Sequence, residues 1–193
     1  MAAVVAGLVV AAYFVGTFPT ALLVGRHEGF DPLQSGSGNP GASNTFRVGG
    51  RRAGSIVLVG DVLKGALTAG IGLGVDGRGL AFAMGIAAVL GHVAPVTRGF
   101  RGGKGVATAL GMAAVLYPVG ALLAPILFGI GFAARRAAAA GSIAAVLGVA
   151  VVVVAERRPG WELAATAGVC MLVLARHRGN LAQLRRPAGT VTP

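Results

Sequence analysis

The sequence predicts an all-α integral membrane protein that crosses the bilayer several times and forms a single domain over residues 1–193. Only 12% of its residues are charged, whereas about a quarter of the residues of a soluble domain carry charge. The mean hydropathy of +0.78 is correspondingly high. The apolar residues also collect in long runs without charge, as in membrane-spanning helices. These runs cover residues 2–24, 79–97, 105–134 and 137–155.

The run 105–134, which contains Pro118 and Pro125, is too long for one crossing, because a transmembrane helix needs about 20 apolar residues. Cytoplasmic loops are enriched in Lys and Arg. Two short helices that turn near residues 117–120 would keep the basic residues at 98–104 and at 135–136 on one side. We therefore predict seven transmembrane helices, near residues 3–25, 53–75, 79–97, 105–117, 119–134, 137–155 and 160–176.

The distribution of basic residues between the loops predicts the orientation of these helices. Most of the 17 Lys and Arg residues fall in loops on one side, and only Arg78, Arg157 and Arg158 fall in loops on the other side. The positive-inside rule then predicts an external N-terminus and a cytoplasmic C-terminus. Topology and anionic lipid headgroups account for the net charge of +11, so we expect the lipid bilayer, and no nucleic acid, as the partner of the basic surface.

Four polar segments interrupt the apolar pattern, and the first covers residues 35–47. Its small residues let a backbone approach a ligand closely, and successive N–H groups of such a loop can bind an anion. Ser and Asn side chains add neutral donors, and an Arg adds a charged one. A flexible connecting loop is an equally supported interpretation. The segment includes Ser37, Gly38, Asn39, Asn44 and Arg47.

The second segment places Asp61 and Lys64 inside an otherwise apolar span. On a helix these residues are i,i+3 neighbours and can pair. A charge at membrane depth costs at least about 3 kcal/mol, so it is seldom incidental. We favour a structural ion pair that supports helix packing over direct contact with a substrate. Lys64 and Lys104 are the only two Lys residues, which suggests that both positions need a compact ammonium group.

The third segment is the Gly-rich loop 99–105, which follows His92, a predicted hydrogen-bonding group at a helix end. The loop does not match the nucleotide-binding P-loop pattern. It leads into an apolar helix, whose N-terminus can bind phosphate. A loop that only sets topology needs basic residues but no glycine, so the glycines favour a binding function over that alternative. The residues concerned are Gly102, Gly103, Lys104 and Gly105.

The fourth segment, residues 176–180, closes the last span and contains His177 and Asn180. His177 is a candidate general base or, with equal support, an orienting hydrogen-bond group. Ser142 lies in a polar break of another span, where small residues also serve helix packing. The sequence has no G-x-S-x-G motif and no metal-ligand spacing, and its cytoplasmic loops contain few acids. Such a site suits the binding of more than one anionic group at a membrane surface.

Five motifs in order along nearly the whole chain carry a resemblance to a known family. They are Gly-Ser-Gly-Asn-x-Gly-Ala-Ser-Asn-x-x-Arg at 36–47, Asp-x-Leu-Lys-Gly at 61–65, Gly-His-x-x-Pro at 91–95, Gly-Gly-Lys-Gly-Val-Ala-Thr at 102–108 and His-Arg-x-Asn at 177–180. Together they resemble the acyl-phosphate:glycerol-3-phosphate acyltransferase (PlsY) family. The resemblance implies a seven-helix enzyme of the bacterial plasma membrane with its active site on the cytoplasmic side.

The resemblance also implies a reaction. A fatty acyl group would pass from acyl phosphate to the 1-hydroxyl of sn-glycerol 3-phosphate, giving lysophosphatidate and phosphate in the first step of phospholipid synthesis. No acyl-CoA, metal or other cofactor is implied, and the enzyme that produces acyl phosphate is a candidate partner. The leaving phosphate or His177 would take the hydroxyl proton.

By match to the family's motifs, the glycerol 3-phosphate would be bound by Arg47, Lys104, Ser142, His177 and Asn180. Of these, the expected catalytic residues are Arg47, Lys104, His177 and Asn180. The acyl phosphate would be held by Ser37, Gly38, Asn39 and Asn44, and by the backbone of Gly102, Gly103 and Gly105. The tail departs from the family pattern, because residues 187–193 lack the Glu that usually follows the corresponding Gly. The alternatives are a small organic-anion transporter, although we find no inverted repeat, and a diverged non-catalytic lipid-binding paralogue.

Overall fold

The computed structural model describes residues 1–180, and every regular element within that range is helical. The all-α class is therefore confirmed for this part of the chain. The tail at 187–193, where the sequence departs from the family pattern, lies outside the described residues. The helices are α1 (Ala2–Gly16), α2 (Thr20–Glu28), α3 (Ala42–Val93), α4 (Val106–Leu116), α5 (Pro118–Arg135), α6 (Ala138–Ala155) and α7 (Gly160–Arg176), with a short 3-10 turn at Val96–Arg98.

The predicted first span, 3–25, is divided in the structure. α1 ends at Gly16 and α2 begins at Thr20, because Pro19 cannot donate a backbone hydrogen bond to the preceding turn. The long helix α3 is interrupted at Gly50, where φ is 78°, and at Asp76 and Gly77. The interruption at 76–77 separates the two spans that the sequence predicts at 53–75 and 79–97.

The predicted break in the run 105–134 is confirmed. α4 ends at Leu116 and α5 begins at Pro118, a residue that suits the first turn of a helix because its missing N–H needs no partner there. Within the described residues, four helical stretches are long and apolar enough to cross a membrane: Ala2–Glu28, Ala42–Arg98, Pro118–Arg135 and Ala138–Ala155.

The chain divides into two compact units, Met1–Leu116 and a second one that begins at Tyr117. The assignment of residues 1–193 to one domain stays a prediction. In the first unit, glycines let the helices approach closely. A Cβ at Gly65 would overlap the carbonyl oxygen of Thr108, and one at Gly111 would overlap that of Val62, where α3 crosses α4. At the contact of α1 with α3, glycine is required in the same way at Gly16 and Gly91.

The second unit contains α5, α6 and α7. A buried hydrogen bond joins its first residue to the start of α7: the Tyr117 hydroxyl donates to Oε2 of Glu162 at 2.6 Å. The guanidinium of Arg158 lies 5.6 Å from the centre of the Tyr117 ring, and it also pairs with Glu156 at 2.6 Å. Cys170 is buried, and its Sγ lies 3.8 Å from the carbonyl oxygen of Val146.

Candidate active site

Asn44 organises the polar loop that precedes α3. Its side chain is buried in the first turn of that helix. Its Oδ1 accepts a hydrogen bond from the backbone N–H of Ser37 at 2.7 Å, and its Nδ2 donates to the carbonyl oxygens of Pro32 at 3.0 Å and Ser35 at 2.9 Å. One amide group therefore binds three backbone groups of the loop and fixes the loop against the helix.

Two glycines give this loop its shape. Gly36 and Gly38 have φ angles of 62° and 67°, in the left-handed region that residues with a Cβ rarely adopt. A Cβ at Gly36 would also overlap Oδ1 of Asn44. The loop buries Asn44 and leaves Ser37 and Gly38 exposed, with Asn39 partly exposed. The tip of the loop is therefore open to a ligand.

A buried charged cluster lies between the middle of α3 and the break after α1. Nζ of Lys64 is 2.7 Å from Oδ1 of Asp61, and both side chains are almost fully buried. The same Nζ donates to the carbonyl oxygen of Phe18 at 3.0 Å and lies 3.3 Å from Nδ1 of His92. The ion pair is thus part of a larger cluster that also includes His92, near the end of α3.

The Gly-rich loop rests on His92. The N–H of Gly103 donates to the carbonyl oxygen of His92 at 3.0 Å. A Cβ at Gly102 would overlap that carbonyl oxygen, and a Cβ at Gly103 would overlap Nε2 of the imidazole ring. The loop then turns at Gly105, where φ is 84°, and α4 begins at Val106. The glycines bring the backbone beside Lys104 into contact with the end of α3.

The hydroxyl of Tyr13 fixes the backbone around Pro95, just before the Gly-rich loop. It donates to the carbonyl oxygen of Ala94 at 2.7 Å and accepts from the N–H of Val96 at 2.9 Å. These two backbone groups flank Pro95, where α3 has ended and the 3-10 turn begins. A side chain of α1 therefore satisfies backbone groups that the proline leaves without helical partners.

A small open pocket of the first unit is lined by residues from both glycine loops, namely the polar loop before α3 and the Gly-rich loop 99–105. Pro40 comes from the end of the first loop and Gly103 from the second. The hydroxyl of Thr20 and Nε of Arg98 are buried at this pocket and have no hydrogen-bond partner in the described structure. Such polar atoms are suited to a bound polar group. The remaining lining residues are Phe18, Pro19, Ala21, Leu22, Asp61, Lys64 and His92.

The second unit holds the three other candidate residues. Ser142 is buried in α6, and His177 is buried directly after α7. Nδ1 of His177 lies 2.8 Å from the carbonyl oxygen of Val173, and a carbonyl can only accept, so Nδ1 carries the proton. In the neutral ring Nε2 is then the acceptor, which is the form that a general base requires. The N–H of Asn180 donates to the carbonyl oxygen of His177 at 2.8 Å.

The structure therefore distributes the predicted site residues between the units. The first unit contains the Ser37–Asn44 loop, Arg47, which is exposed, and the Gly102–Gly105 loop with Lys104, which is half-buried. The second contains Ser142, His177 and Asn180. The sequence interpretation missed Thr20, Arg98 and Tyr13. The residues next to them in sequence do not indicate a role for these three. Their role depends on contacts with residues far along the chain.

Comparison with known proteins identifies relatives over most of the chain. Residues 6–187 match the family model described as "Glycerol-3-phosphate acyltransferase". A "Glycerol-3-phosphate acyltransferase" from Geobacter sulfurreducens is 41% identical over 185 residues, which is 92% of this chain and 92% of the relative. The relative of the same description from Bacillus cytotoxicus is 38% identical over 184 residues, 92% of this chain and 89% of that one.

A solved structure has the same fold. It is the crystal structure of PlsY, described as an integral membrane glycerol 3-phosphate acyltransferase, in its glycerol 3-phosphate form. The TM-score is 0.89 and the identity 34%, over 93% of this chain and 91% of that chain. Its lysophosphatidic acid form gives a TM-score of 0.87. The chain is thus an all-helical integral membrane protein, and it belongs to the glycerol-3-phosphate acyltransferase family.

Proposed function

We propose that this chain transfers a fatty acyl group from acyl phosphate to the 1-hydroxyl of sn-glycerol 3-phosphate, giving lysophosphatidate and inorganic phosphate. Membership of the family supports the class of reaction. One structural observation carries the proposal: Pro40 of the first glycine loop and Gly103 of the second line a single pocket of the first unit, together with Thr20 and Arg98. The Thr20 hydroxyl and Nε of Arg98 have no hydrogen-bond partner in the described structure, and a neutral and a charged donor of this kind suit a phosphate group.

The acyl phosphate is assigned to the two glycine loops. Asn44 holds the first loop, whose exposed tip carries Ser37 and Gly38 beside Asn39. The second loop, with Gly102, Gly103 and Gly105, leads into α4, whose first turn and helix dipole favour an anion. In this proposal Asn44 acts through the loop, since its amide already binds three backbone groups.

Five residues are assigned to glycerol 3-phosphate, two of them in the first unit and three in the second. In the first unit, Arg47 and Lys104 supply the positive charge for the phosphate of this substrate. In the second unit, the buried Ser142 and His177 supply hydrogen-bonding groups, and Asn180 follows one turn after the histidine. We propose Arg47, Lys104, His177 and Asn180 as the catalytic residues.

The chemistry needs little from the protein, because acyl phosphate is an activated mixed anhydride. The 1-hydroxyl oxygen attacks the acyl carbonyl carbon, a new ester bond forms, and the bond from that carbon to the phosphate oxygen breaks. The proton of the hydroxyl passes to the departing phosphate, and the unprotonated Nε2 of His177 is the alternative acceptor. Rate enhancement then comes from holding two anions in attack geometry against cations and backbone donors.

The topology completes the proposal. We propose seven crossings by the helical segments at 3–25, 53–75, 79–97, 105–117, 119–134, 137–155 and 160–176, with the N-terminus outside and the C-terminus in the cytoplasm. The active site then faces the cytoplasm, where glycerol 3-phosphate is available. The enzyme that makes acyl phosphate is a proposed partner. The acyl chain of this donor is hydrophobic, so direct transfer between the two enzymes at the membrane would keep it out of water.

The decisive experiment supplies the purified protein with glycerol 3-phosphate and either palmitoyl phosphate or palmitoyl-CoA. We expect lysophosphatidate and stoichiometric phosphate from palmitoyl phosphate, and no product from palmitoyl-CoA. Lys104→Ala should lower kcat/KM by about a hundredfold or more, as expected for the loss of a charged transition-state contact. Uptake of glycerol 3-phosphate into proteoliposomes without any lipid product would reject the enzyme and favour a transporter.

A further inference from the structure

We propose that His92, oriented by Lys64, is a positioning residue for the Gly102–Gly105 loop and hence for the acyl-phosphate site. The proposal rests on the proposed function, which gives that loop its ligand. His92 would not touch a substrate. It would set where the backbone of the loop lies and, through the loop, where Lys104 and the first turn of α4 begin.

The contact with Lys64 bears on which ring nitrogen of His92 carries the proton. Nζ of Lys64 lies 3.3 Å from Nδ1 of His92. A Lys ammonium has three N–H donors and no acceptor, so Nδ1 must accept and cannot carry a proton. Oδ1 of Asp61 is 3.7 Å from Nδ1, which is too far for a hydrogen bond that would favour the other tautomer. A hydrogen bond from Lys64 to Nδ1 thus corresponds to a neutral His92 ring with its proton on Nε2.

The hydrogen bonds of the Lys64 ammonium hold the His92 ring in one orientation. Nζ of Lys64 lies within hydrogen-bond distance of four acceptors: Oδ1 of Asp61 at 2.7 Å, the carbonyl oxygens of Phe18 at 3.0 Å and Gly16 at 3.5 Å, and Nδ1 of His92 at 3.3 Å. A compact tetrahedral ammonium can donate in the three shortest of these directions, whereas a planar guanidinium would not. The side chains of Asp61, Lys64 and His92 are buried, which strengthens the contacts among them. Lys64 thereby fixes the plane of the imidazole.

The His92 ring also contacts the loop. The position of a Cβ at Gly103 would overlap Nε2 and lie 2.9 Å from Cε1 of His92. The φ angle of Gly103 is not among the positive ones, so the backbone conformation alone does not require glycine there. Glycine is required because the His92 ring occupies the space. The N–H of Gly103 also donates to the carbonyl oxygen of His92 at 3.0 Å, which holds the backbone against the ring.

A double-mutant cycle tests this contact. In the wild-type background, Gly103→Ala should push the loop away from the ring and lower kcat/KM for palmitoyl phosphate strongly. In a His92→Asn background the Oδ1 atom still accepts from Lys64, but the ring atoms that collide with the Ala methyl group are gone. Gly103→Ala should therefore cost about tenfold less in that background than in the wild type, a typical coupling for residues in contact.

The cycle separates positioning from a general loss of structure. We expect the change in KM for palmitoyl phosphate to exceed the change in KM for glycerol 3-phosphate, because the displaced loop is assigned to the donor. Equal costs of Gly103→Ala in both backgrounds would overturn the proposal. As a matched control, Gly79→Ala adds a methyl group where nothing lies within 4 Å, and it should leave kcat/KM unchanged in both backgrounds.

A second measurement observes the His92 ring in the wild-type protein. Nitrogen NMR of the wild-type protein labelled at its 3 His residues distinguishes the two neutral tautomers and the charged ring. The His92 signal, assigned by elimination with His27→Gln and His177→Gln, should show a proton on Nε2 only. A proton on Nδ1 would reject the role of Lys64. If the wild type makes no lysophosphatidate but shows this tautomer, the proposed function fails and the geometry of the cluster stands.

Discussion

Nζ of Lys64 donates to the carbonyl oxygen of Phe18 at 3.0 Å, across 46 positions of sequence. Phe18 lies in the break between α1 and α2, where Pro19 interrupts the helical hydrogen bonds and leaves backbone carbonyls without helical donors. The same Nζ pairs with Asp61. A single ammonium group thus compensates a buried carboxylate and a broken helix end.

Lys64→Met should destabilise the protein by about 3–5 kcal/mol, because it leaves the carboxylate of Asp61 buried without its cation. Lys64→Arg should not restore the lost stability, since a planar guanidinium cannot donate to Asp61, Phe18 and His92 together. The measurement is the free energy of unfolding in mixed detergent micelles. The double variant Asp61→Asn/Lys64→Met is the control and should be more stable than Lys64→Met alone. A wild-type stability for Lys64→Met would show that the pair contributes nothing.

Gly65→Ala should destabilise the crossing of α3 and α4 by about 1–3 kcal/mol, the usual cost of forcing an extra methyl group into a packed contact. The added Cβ would meet the backbone of Thr108, which cannot move without shifting α4. Gly70→Ala is the matched control in the same helix, because nothing lies within 4 Å of its Cβ position. That control should be neutral or stabilising by up to about 1 kcal/mol. Thermal unfolding of the two purified variants compares them, and equal melting temperatures would contradict the close contact.

Tyr117→Phe should lower the unfolding free energy by about 1.5–3 kcal/mol, the range for a hydrogen bond to a charged group. The lost bond is the 2.6 Å contact to the buried Glu162. Glu156→Gln weakens a pair with Arg158 that is about a third exposed, so it should change stability by less than about 1 kcal/mol. The assay is unfolding in detergent, monitored by circular dichroism. The ranking of the two variants decides the matter: a larger loss for Glu156→Gln would be inconsistent with the described burial.

Asn44→Ala should raise KM for palmitoyl phosphate by about tenfold and leave KM for glycerol 3-phosphate less affected. The substitution removes the amide that holds Ser37 and the carbonyls of Pro32 and Ser35, so the loop must pay more ordering entropy when it binds the donor. Ser43→Ala changes an exposed neighbour in the same helical turn and should have wild-type kinetics. Steady-state assays with each substrate varied in turn provide the test. An Asn44→Ala enzyme with unchanged KM for the donor would exclude this role of the loop.

Much of the fold follows from local sequence, because the properties that determine it act over short distances. The low charge and uncharged runs predict apolar helices, and α6 and α7 lie within one residue of the segments predicted at 137–155 and 160–176. Pro118 ends one helix and begins another as its chemistry requires. The predicted span 3–25 is divided at Pro19, a residue whose effect the hydropathy pattern conceals because its neighbours are apolar.

The sequence names the residues of the proposed site, and it does not indicate how they are arranged. Glycines, cations and neutral donors mark the loops, and the i,i+3 spacing of Asp61 and Lys64 places their side chains on one helix face. No local pattern indicates the contact between Lys64 and His92, or that the His92 ring occupies the space of a Cβ at Gly103. Nor does any local pattern indicate that Tyr13 binds the backbone on both sides of Pro95.

The sequence by itself therefore determined that this chain is a helical membrane protein whose polar groups are gathered in Gly-rich segments between apolar spans. Hydrophobic runs, prolines and motif spacing are sufficient for that, because each acts within a few residues. Only the tertiary structure decided that the ion pair inside α3 extends to the break after α1 and to the ring beneath the second loop. Those contacts join residues 28 to 46 positions apart, and their geometry arises from helix packing that no single segment encodes.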